Sequence, residues 1–406
     1  MKKTAVSALI SAEIVSVLGT RMTYLALPWF VLVTTGSPEK MTLVLAAELA
    51  PMALLGIPSG MLVQRLGARN TMLLADFARA PILASIPILH ASDLLSFPLL
   101  LGLVAFLGCF MPPYFASQRV ILPELVGEDE RRMSQANSAI EGGTAFAALI
   151  GPALAGLLIP LIGAPNVLYV DAASYLIAFV LVAVFVPRRK RVAEAQPGGV
   201  LDGVRFLLRD SLLAPIAVIV VAFGFLASGM SAGLPVYAYA EFDGSSRIAG
   251  LFYAALGAGA VVGSIAAVMA VRKVAPLRLA GLAILAFIVP IWVLPFMPPW
   301  PLVGLALFVA MFFTPLINGP FFAVLTARTP DALRAKVMTA VISINTLAAP
   351  LGFVAAGQVL ERWGVATLFT LVAVGMTLAA LSFSAVALRF RELDIAPEPL
   401  AEPATS

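Results

Sequence analysis

The run AVSALISAEIVSVLGTRMTYLALPWFVLV, Ala5 to Val33, carries only two charged side chains, Glu13 and Arg21. About 20 mostly apolar residues suffice for a helix to cross a bilayer, so this run crosses one, and it is too long to be the core of a signal peptide. Working outward, apolar windows bounded by charges and Pro/Gly clusters recur at residues 5–33, 41–63, 70–90, 94–116, 133–160, 166–186, 212–238, 247–271, 277–297, 300–325, 335–360 and 364–388. The composition agrees. Of 406 residues, 61% are hydrophobic and 12% charged, with a mean hydropathy of +1.00, against about 45–50% and about 25% in soluble domains. The pattern predicts an all-α integral membrane protein of twelve transmembrane helices. No length is left for a catalytic domain outside the membrane.

One cysteine, Cys109, and one histidine, His90, exclude a disulfide framework and the usual zinc clusters. No cofactor or metal is expected. The string GAGAVVG, Gly257 to Gly263, has the glycines of a nucleotide fingerprint at the wrong spacing and no preceding strand, so it reads as helix packing. With no phosphate-binding loop and no assembled catalytic set, neither an ATP-driven pump nor an enzyme fits the sequence.

An even number of spans puts both termini on one side. Of the 26 Lys and Arg residues, Lys40, Arg247 and Arg362 fall in the loops of the opposite side, and Arg21 and Arg79 fall inside spans. All the others lie at the termini or in loops on their side, and basic loops stay cytoplasmic. Both termini are therefore expected in the cytoplasm, with the chain in the inner membrane. The net charge of +4 and pI near 9.3 then reflect topology and not a nucleic-acid partner.

The longest hydrophilic connection divides the spans six and six, giving expected units 1–186, 187–211, 212–390 and a tail 391–406. Within the connection, RRKR (Arg188 to Arg191) reads as a stop-transfer cluster and GGVLDGVRFLLRD as an amphipathic surface helix. The halves echo each other. QRVILPEL after span 4 matches TARTPDAL after span 10, and Gly156 with Gly163 matches Gly357 with Gly364. Such recurrence about 200 residues on is how two pseudo-symmetric six-helix bundles read in sequence.

Span 2 ends in GMLVQRLGARN, Gly60 to Asn70. This resembles the signature loop between helices 2 and 3 of the major facilitator superfamily: Gly60, Arg65, Gly67 and Arg69 fit, while Gln64 replaces the family's Asp and Ala68 one of its basic residues. The resemblance implies a gating role for Arg65, Arg69 and position 64, with the cytoplasmic latch altered at Gln64. GPALAG, with Gly151, Pro152 and Gly156, resembles the superfamily's antiporter signature except at Ala155. LALPWFVLVTTGS (Leu25 to Ser37), LLADFARA (Leu73 to Ala80), QANS (Gln135 to Ser138) and VDAASYL (Val170 to Leu176) are similar to drug/proton antiporters of the macrolide-efflux type. These strings cover most of the N-terminal half; PDALRAKV and the Gly-rich span 8 carry the likeness into the other.

An ionisable group at mid-bilayer costs about 2.5–3.5 kcal/mol on insertion scales, so each should face a cavity or a partner. There are seven, all in the N-terminal half: Glu13, Arg21, Glu48, Asp76, Arg79, Glu141 and Asp171. Glu13 and Glu141 fall at similar depth on spans 1 and 5, which are neighbours in the resembled family. They are expected to share a proton-responsive pocket. Arg21 and Glu48 lie close enough in level to meet. Asp76 and Arg79, three residues apart on one helix face, read as a structural ion pair, and Asp171 as structural or interfacial. The C-terminal half offers prolines and aromatics instead, among them Pro235, Tyr237, Tyr253 and Trp292. An apolar wall opposite an acidic one suits an amphiphilic substrate, cationic ones included, and is also the composition of ordinary lipid-facing helices.

The sequence thus predicts a monomeric secondary transporter that exchanges protons for a lipophilic drug or metabolite. The alternatives are a symporter importing a small nutrient, which calls for more polar cavity spans, and a non-transporting membrane sensor, which calls for longer tails.

Overall fold

The structure, a computed structural model, describes residues 2–127, 129–188, 200–271 and 274–389. Arg189 to Arg191 of the basic run and the tail 391–406 lie outside them. Every regular element among the described residues is helical: α1 (Lys2–Thr35), α2 (Pro38–Leu66), α3 (Ala68–Ala91), α4 (Phe97–Gly108), α5 (Met111–Val126), α6 (Glu130–Ile162), α7 (Ala164–Phe185), α8 (Val200–Arg209), α9 (Leu213–Glu241), α10 (Ser246–Ala270), α11 (Pro276–Ile291), α12 (Trp300–Arg328) and α13 (Asp331–Arg389), with a 3-10 turn at Leu294–Phe296.

Two departures from a simple reading have local causes. The fourth span is two helices, α4 and α5, broken at Cys109 and Phe110, because Pro112 and Pro113 follow at once and supply no N–H to the preceding turn. Conversely, α13 runs 59 residues in one assignment. At 1.5 Å per residue that is about 88 Å, far more than a bilayer. The chain in fact reverses at Gly364, whose φ of 78° suits glycine. On either side of that turn, Gly352 packs on Phe225 and Gly375 on Leu226, adjacent residues of α9. The two arms of α13 therefore cross side by side. Among the described residues ten helices are long and apolar enough to cross a membrane, and the bent pair within α2 makes eleven. Dividing α13 at Gly364 makes twelve.

The spans form two six-helix bundles. In the first, α1 packs on α6 and α7, and α3 on α7 and α5; in the second, α13 packs on α9, and α12 on α10 and α11. The bundles meet along two seams, α6 with α10 and α2 with α13. Both use the repeated glycines. A Cβ on Gly156 would stand 2.7 Å from the Ser246 carbonyl, one on Gly250 2.7 Å from the Pro152 carbonyl, and one on Gly257 2.8 Å from Cα of Leu149. In the other seam Gly357 leaves room for Thr42 and Glu39. Here Glu361 of α13 reaches across to the start of α2, where its Oε2 accepts from the Ser37 hydroxyl (2.9 Å) and the Glu39 N–H (3.2 Å). A carboxylate at a helix N-terminus is a favourable arrangement. All of these contacts lie toward the face opposite the termini.

On the termini face, the amphipathic segment of the connection forms α8, whose Leu207 is buried and whose Gly203 sits against the backbone of Lys336. Asp210 joins α8 to α9. Its Oδ1 accepts from the Leu212 and Leu213 N–H groups, each at 2.9 Å, and its Oδ2 from Arg328 at 3.3 Å. Partial burial opposes the charge, but the two N–H groups and the guanidinium win and hold the carboxyl below its ordinary value. A carboxyl so depressed contributes stability that is complete above its unfolded pKa of about 3.9 and is lost as pH falls through the folded value. Asp210→Ala should cost about 1–2 kcal/mol at pH 7 by removing the cap. Unfolding followed against pH in detergent should show this gap constant from pH 5 to 8 and narrowing only below about pH 4.

Candidate functional site

The N-terminal bundle buries a polar network. Arg79 on α3 lies between the rings of Tyr114 and Tyr175, 4.4 and 4.3 Å from their centroids, and donates to Asp76 Oδ1 at 2.5 Å. Both side chains are almost fully buried. Across α7, Asp171 accepts from the Thr23 hydroxyl at 2.6 Å and the Ser174 hydroxyl at 3.0 Å, and the Tyr175 hydroxyl meets Thr20 at 3.0 Å. Gly19 makes space for this, since a Cβ there would collide with Asp171 and Ser174. Glu13, 1% exposed, accepts from Gln118 of α5 at 2.9 Å. Its other oxygen, Asp76 Oδ2 and the Tyr114 hydroxyl are buried and complete no hydrogen bond in good geometry among the described residues. Asp76 and Tyr114 both touch Arg79.

The network thus holds Glu13, Asp76, Arg79 and Asp171 together, but the expected pocket shared by Glu13 and Glu141 does not form. Glu13 points into its own bundle, whereas Glu141 is exposed. Helical periodicity explains the difference. Glu141 lies seven and eleven residues before Ala148 and Pro152, the positions with which α6 touches α10, and so on the stripe facing the other bundle. The neighbouring stripe, not this one, meets α1, through Gly143 against Ile14. Past Leu149 the two helices no longer cover each other. Two turns on from the Ala148 to Gly257 contact, Glu141 and Ser264 stand opposite in register and both are exposed.

The gap between the bundles is lined on α1 by the partly exposed stripe Ile10, Ile14, Val17, Arg21 and Tyr24. It is closed where the Tyr24 hydroxyl meets Ser231 of α9 at 3.1 Å and its ring meets Tyr253 of α10 edge-on at 5.8 Å. Trp29 against Tyr239 repeats the cross-bundle contact further out. The expected Arg21 to Glu48 contact is absent from the ion pairs among the described residues. Glu48 is buried on α2.

Residues 9–352 match the family model described as Major Facilitator Superfamily. The chain belongs to that superfamily. It is a multi-pass membrane transporter and not an enzyme. Among superfamily proteins it is 27% identical to the multidrug efflux pump Tap of Mycolicibacterium fortuitum over 94% of this chain and 95% of that one. It is 25% identical to Tap of Mycobacterium tuberculosis (strain ATCC 25618 / H37Rv), covering 95% and 94% of the two chains. Its fold is similar to that of the D323A mutant of the nucleoside transporter NupG, with a TM-score of 0.77 at 14% identity, covering 94% of this chain and 99% of that one. A bacterial homologue of the lysosomal transporter Spinster, described as inward-facing and unoccupied, gives 0.74 at 14%, covering 98% and 99%.

The superfamily motifs occupy distinct places. In the signature loop, Gly67 turns the chain with φ 83° between α2 and α3. Arg69 donates to the carbonyls of Val186 and Ala183 at 2.6 and 2.7 Å, capping α7 within its own bundle, while Arg65 and Gln64 are exposed. Of the antiporter-like string, Gly151 gives passage to Arg21, whose Cβ would lie 2.6 Å from an added methyl, and Pro152 and Gly156 form the α6 to α10 seam. GAGAVVG is helix packing: Gly257 meets α6, and Gly259 and Gly263 meet α12. His90 ends α3 against the Phe30 ring.

Gln118 and Tyr114 were not among the residues singled out from sequence, because nothing in their own strings marks a partner on another helix; Tyr253 was read only as part of the aromatic wall, without its partner Tyr24. Thr20, Thr23, Ser174 and Tyr175 carried a usable signal, the helical spacing to Asp171 or to one another. Removing one member of a buried ion pair strands the other, at about 3–5 kcal/mol, while removing both is often close to neutral. Asp76→Asn should therefore destabilise the protein by that order, and Asp76→Asn with Arg79→Met should recover most of the loss. Unfolding midpoints in detergent for the single and double variants check this.

Proposed function

We propose that the chain is a monomeric, proton-driven exporter of lipophilic drugs or metabolites in the cytoplasmic membrane, with both termini in the cytoplasm. The observation that carries the proton part is the surplus acid of the N-terminal network. Arg79 pairs with Asp76, Glu13 accepts one amide hydrogen bond from Gln118 and has no ion pair among the described residues, and Glu13 Oε1 and Asp76 Oδ2 make no hydrogen bond among them. In a low-dielectric interior a carboxyl lacking its own countercharge is better accommodated neutral, so this group can take up one proton, and releasing it leaves one carboxylate in excess of the Asp76 and Arg79 pair. Support for export comes from the relatives named multidrug efflux pumps, over nearly the whole chain. The orientation rests on the one-sided distribution of Lys and Arg.

The network adjoins the cavity through α1, which carries Glu13 and, about two and three turns further, Arg21 and Tyr24. A change of charge at Glu13 therefore acts on the helix that also forms the closed end of the cavity. The proton is assigned to the buried network and not to a Glu13 and Glu141 pair, since Glu141 is exposed on the stripe facing the other bundle.

In proteoliposomes, Glu13→Gln should abolish uphill export driven by an imposed proton gradient and leave downhill substrate exchange within about threefold of wild type. Glu141→Gln should keep gradient-driven transport. Full uphill transport by Glu13→Gln would place the coupling proton elsewhere.

A further inference from the structure

Arg21 stands apart from every other charge buried in the N-terminal bundle. Its partners should be sought first on its own helix and neighbours, yet no ion pair or hydrogen bond involves it among the described residues, and Glu48, the acid expected to meet it, forms none with it. A guanidinium carries five N–H donors in a fixed fork and keeps its charge. Leaving such a group unpaired at mid-membrane is costly, and the cost is met only where it faces a cavity or a ligand.

Position supports the second. Arg21 lies 14 residues before the end of α1 at Thr35, roughly 21 Å along the helix, which is near the middle of the membrane, where transporter substrates bind at the interface of the repeats. It is partly exposed, three residues from Tyr24 on the same helix face, immediately on the open side of the closure made by Tyr24, Ser231 and Tyr253. Gly151 in the antiporter-like string admits it there. The buried acids of the bundle are turned away, Glu13, Asp76 and Asp171 in the network and Glu48 on α2, while Glu141, which does face the gap, lies ten residues from Gly151, about 15 Å nearer the mouth.

We infer that the closed end of the central cavity is a binding site for amphiphilic anions, in which Arg21 receives a carboxylate, sulfonate or phosphate group and the rings of Tyr24 and Tyr253 cover an aromatic body. The assignment builds on the exporter reading by naming its substrate class, and it reverses the cationic preference that the acid-rich sequence suggests. A bidentate guanidinium contact gives geometry as well as charge, so lysine replaces it incompletely.

Equilibrium binding to the full chain in nanodiscs, with no gradient, tests the site separately from export and coupling. Fluorescein, an anionic xanthene carboxylate, and rhodamine 6G, a cationic xanthene ester, are matched aromatic probes. Wild type should bind fluorescein at least tenfold more tightly than rhodamine 6G. Arg21→Gln should weaken fluorescein at least tenfold and change rhodamine 6G less than twofold, and Arg21→Lys should fall between. A wild-type preference for rhodamine 6G, binding of neither dye, or unchanged fluorescein binding in Arg21→Gln overturns the inference. The wild-type comparison stands even where a variant fails to fold. Failure of gradient-driven export with the anion preference intact would count against the exporter reading alone.

Discussion

A charged side chain within the bilayer has no water to turn to, and it persists only with a partner, a cavity or a proton. That constraint arranges the N-terminal bundle. Arg79 takes Asp76 and two tyrosine rings, and Asp171 takes two hydroxyls in space cleared by Gly19. Glu13 takes one amide, and its other oxygen makes no hydrogen bond among the described residues. Arg21 has no ion pair or hydrogen bond among the described residues and is partly exposed beside Tyr24. The same rule that makes the first groups structural makes the last two candidates for chemistry.

A cavity between two bundles exists only if the bundles can touch without filling it. The glycines of the seams allow this. Gly156, Gly250 and Gly257 bring α6 and α10 to backbone contact, and Gly357 does so for α2 and α13, with Glu361 fixed on the start of α2. Both seams favour the face opposite the termini. Toward the termini, a Cβ on Gly60 of α2 would meet nothing within 4 Å, and Glu141 and Ser264 are uncovered. The molecule is therefore closed on one side of Tyr24 and open on the other, the arrangement that alternation between two states requires.

Much of this was legible in the chain. Twelve windows, two halves and the Asp76 and Arg79 pair follow from hydropathy, from recurrence and from three-residue spacing. The matched pairs Gly156 with Gly163 and Gly357 with Gly364 proved to share two tasks, a cross-bundle contact followed by a positive-φ turn. Depth, by contrast, was a poor guide to partnership. Glu13 and Glu141 lie at similar levels, but rotation about each helix axis sends one into a bundle and the other into the gap. Rotation cannot be fixed where nearly every face of a helix is apolar, so Gln118 and Tyr114 were invisible as neighbours of Glu13. The span 4 break at Pro112 and Pro113 was in plain view, though its effect depends on which carbonyls lose donors.

The central claim is that the cavity opens on the termini side while the opposite seam stays shut. Spin-label distances in a Cys109→Ser background measure it directly, with one pair at Glu141→Cys and Ser264→Cys and another at Leu157→Cys and Leu251→Cys beside the Gly156 to Gly250 crossing. In the resting protein without substrate, the second pair should give a short, narrow distance distribution and the first a longer, broader one. A 141 to 264 distance equal to or shorter than the 157 to 251 distance would contradict the account.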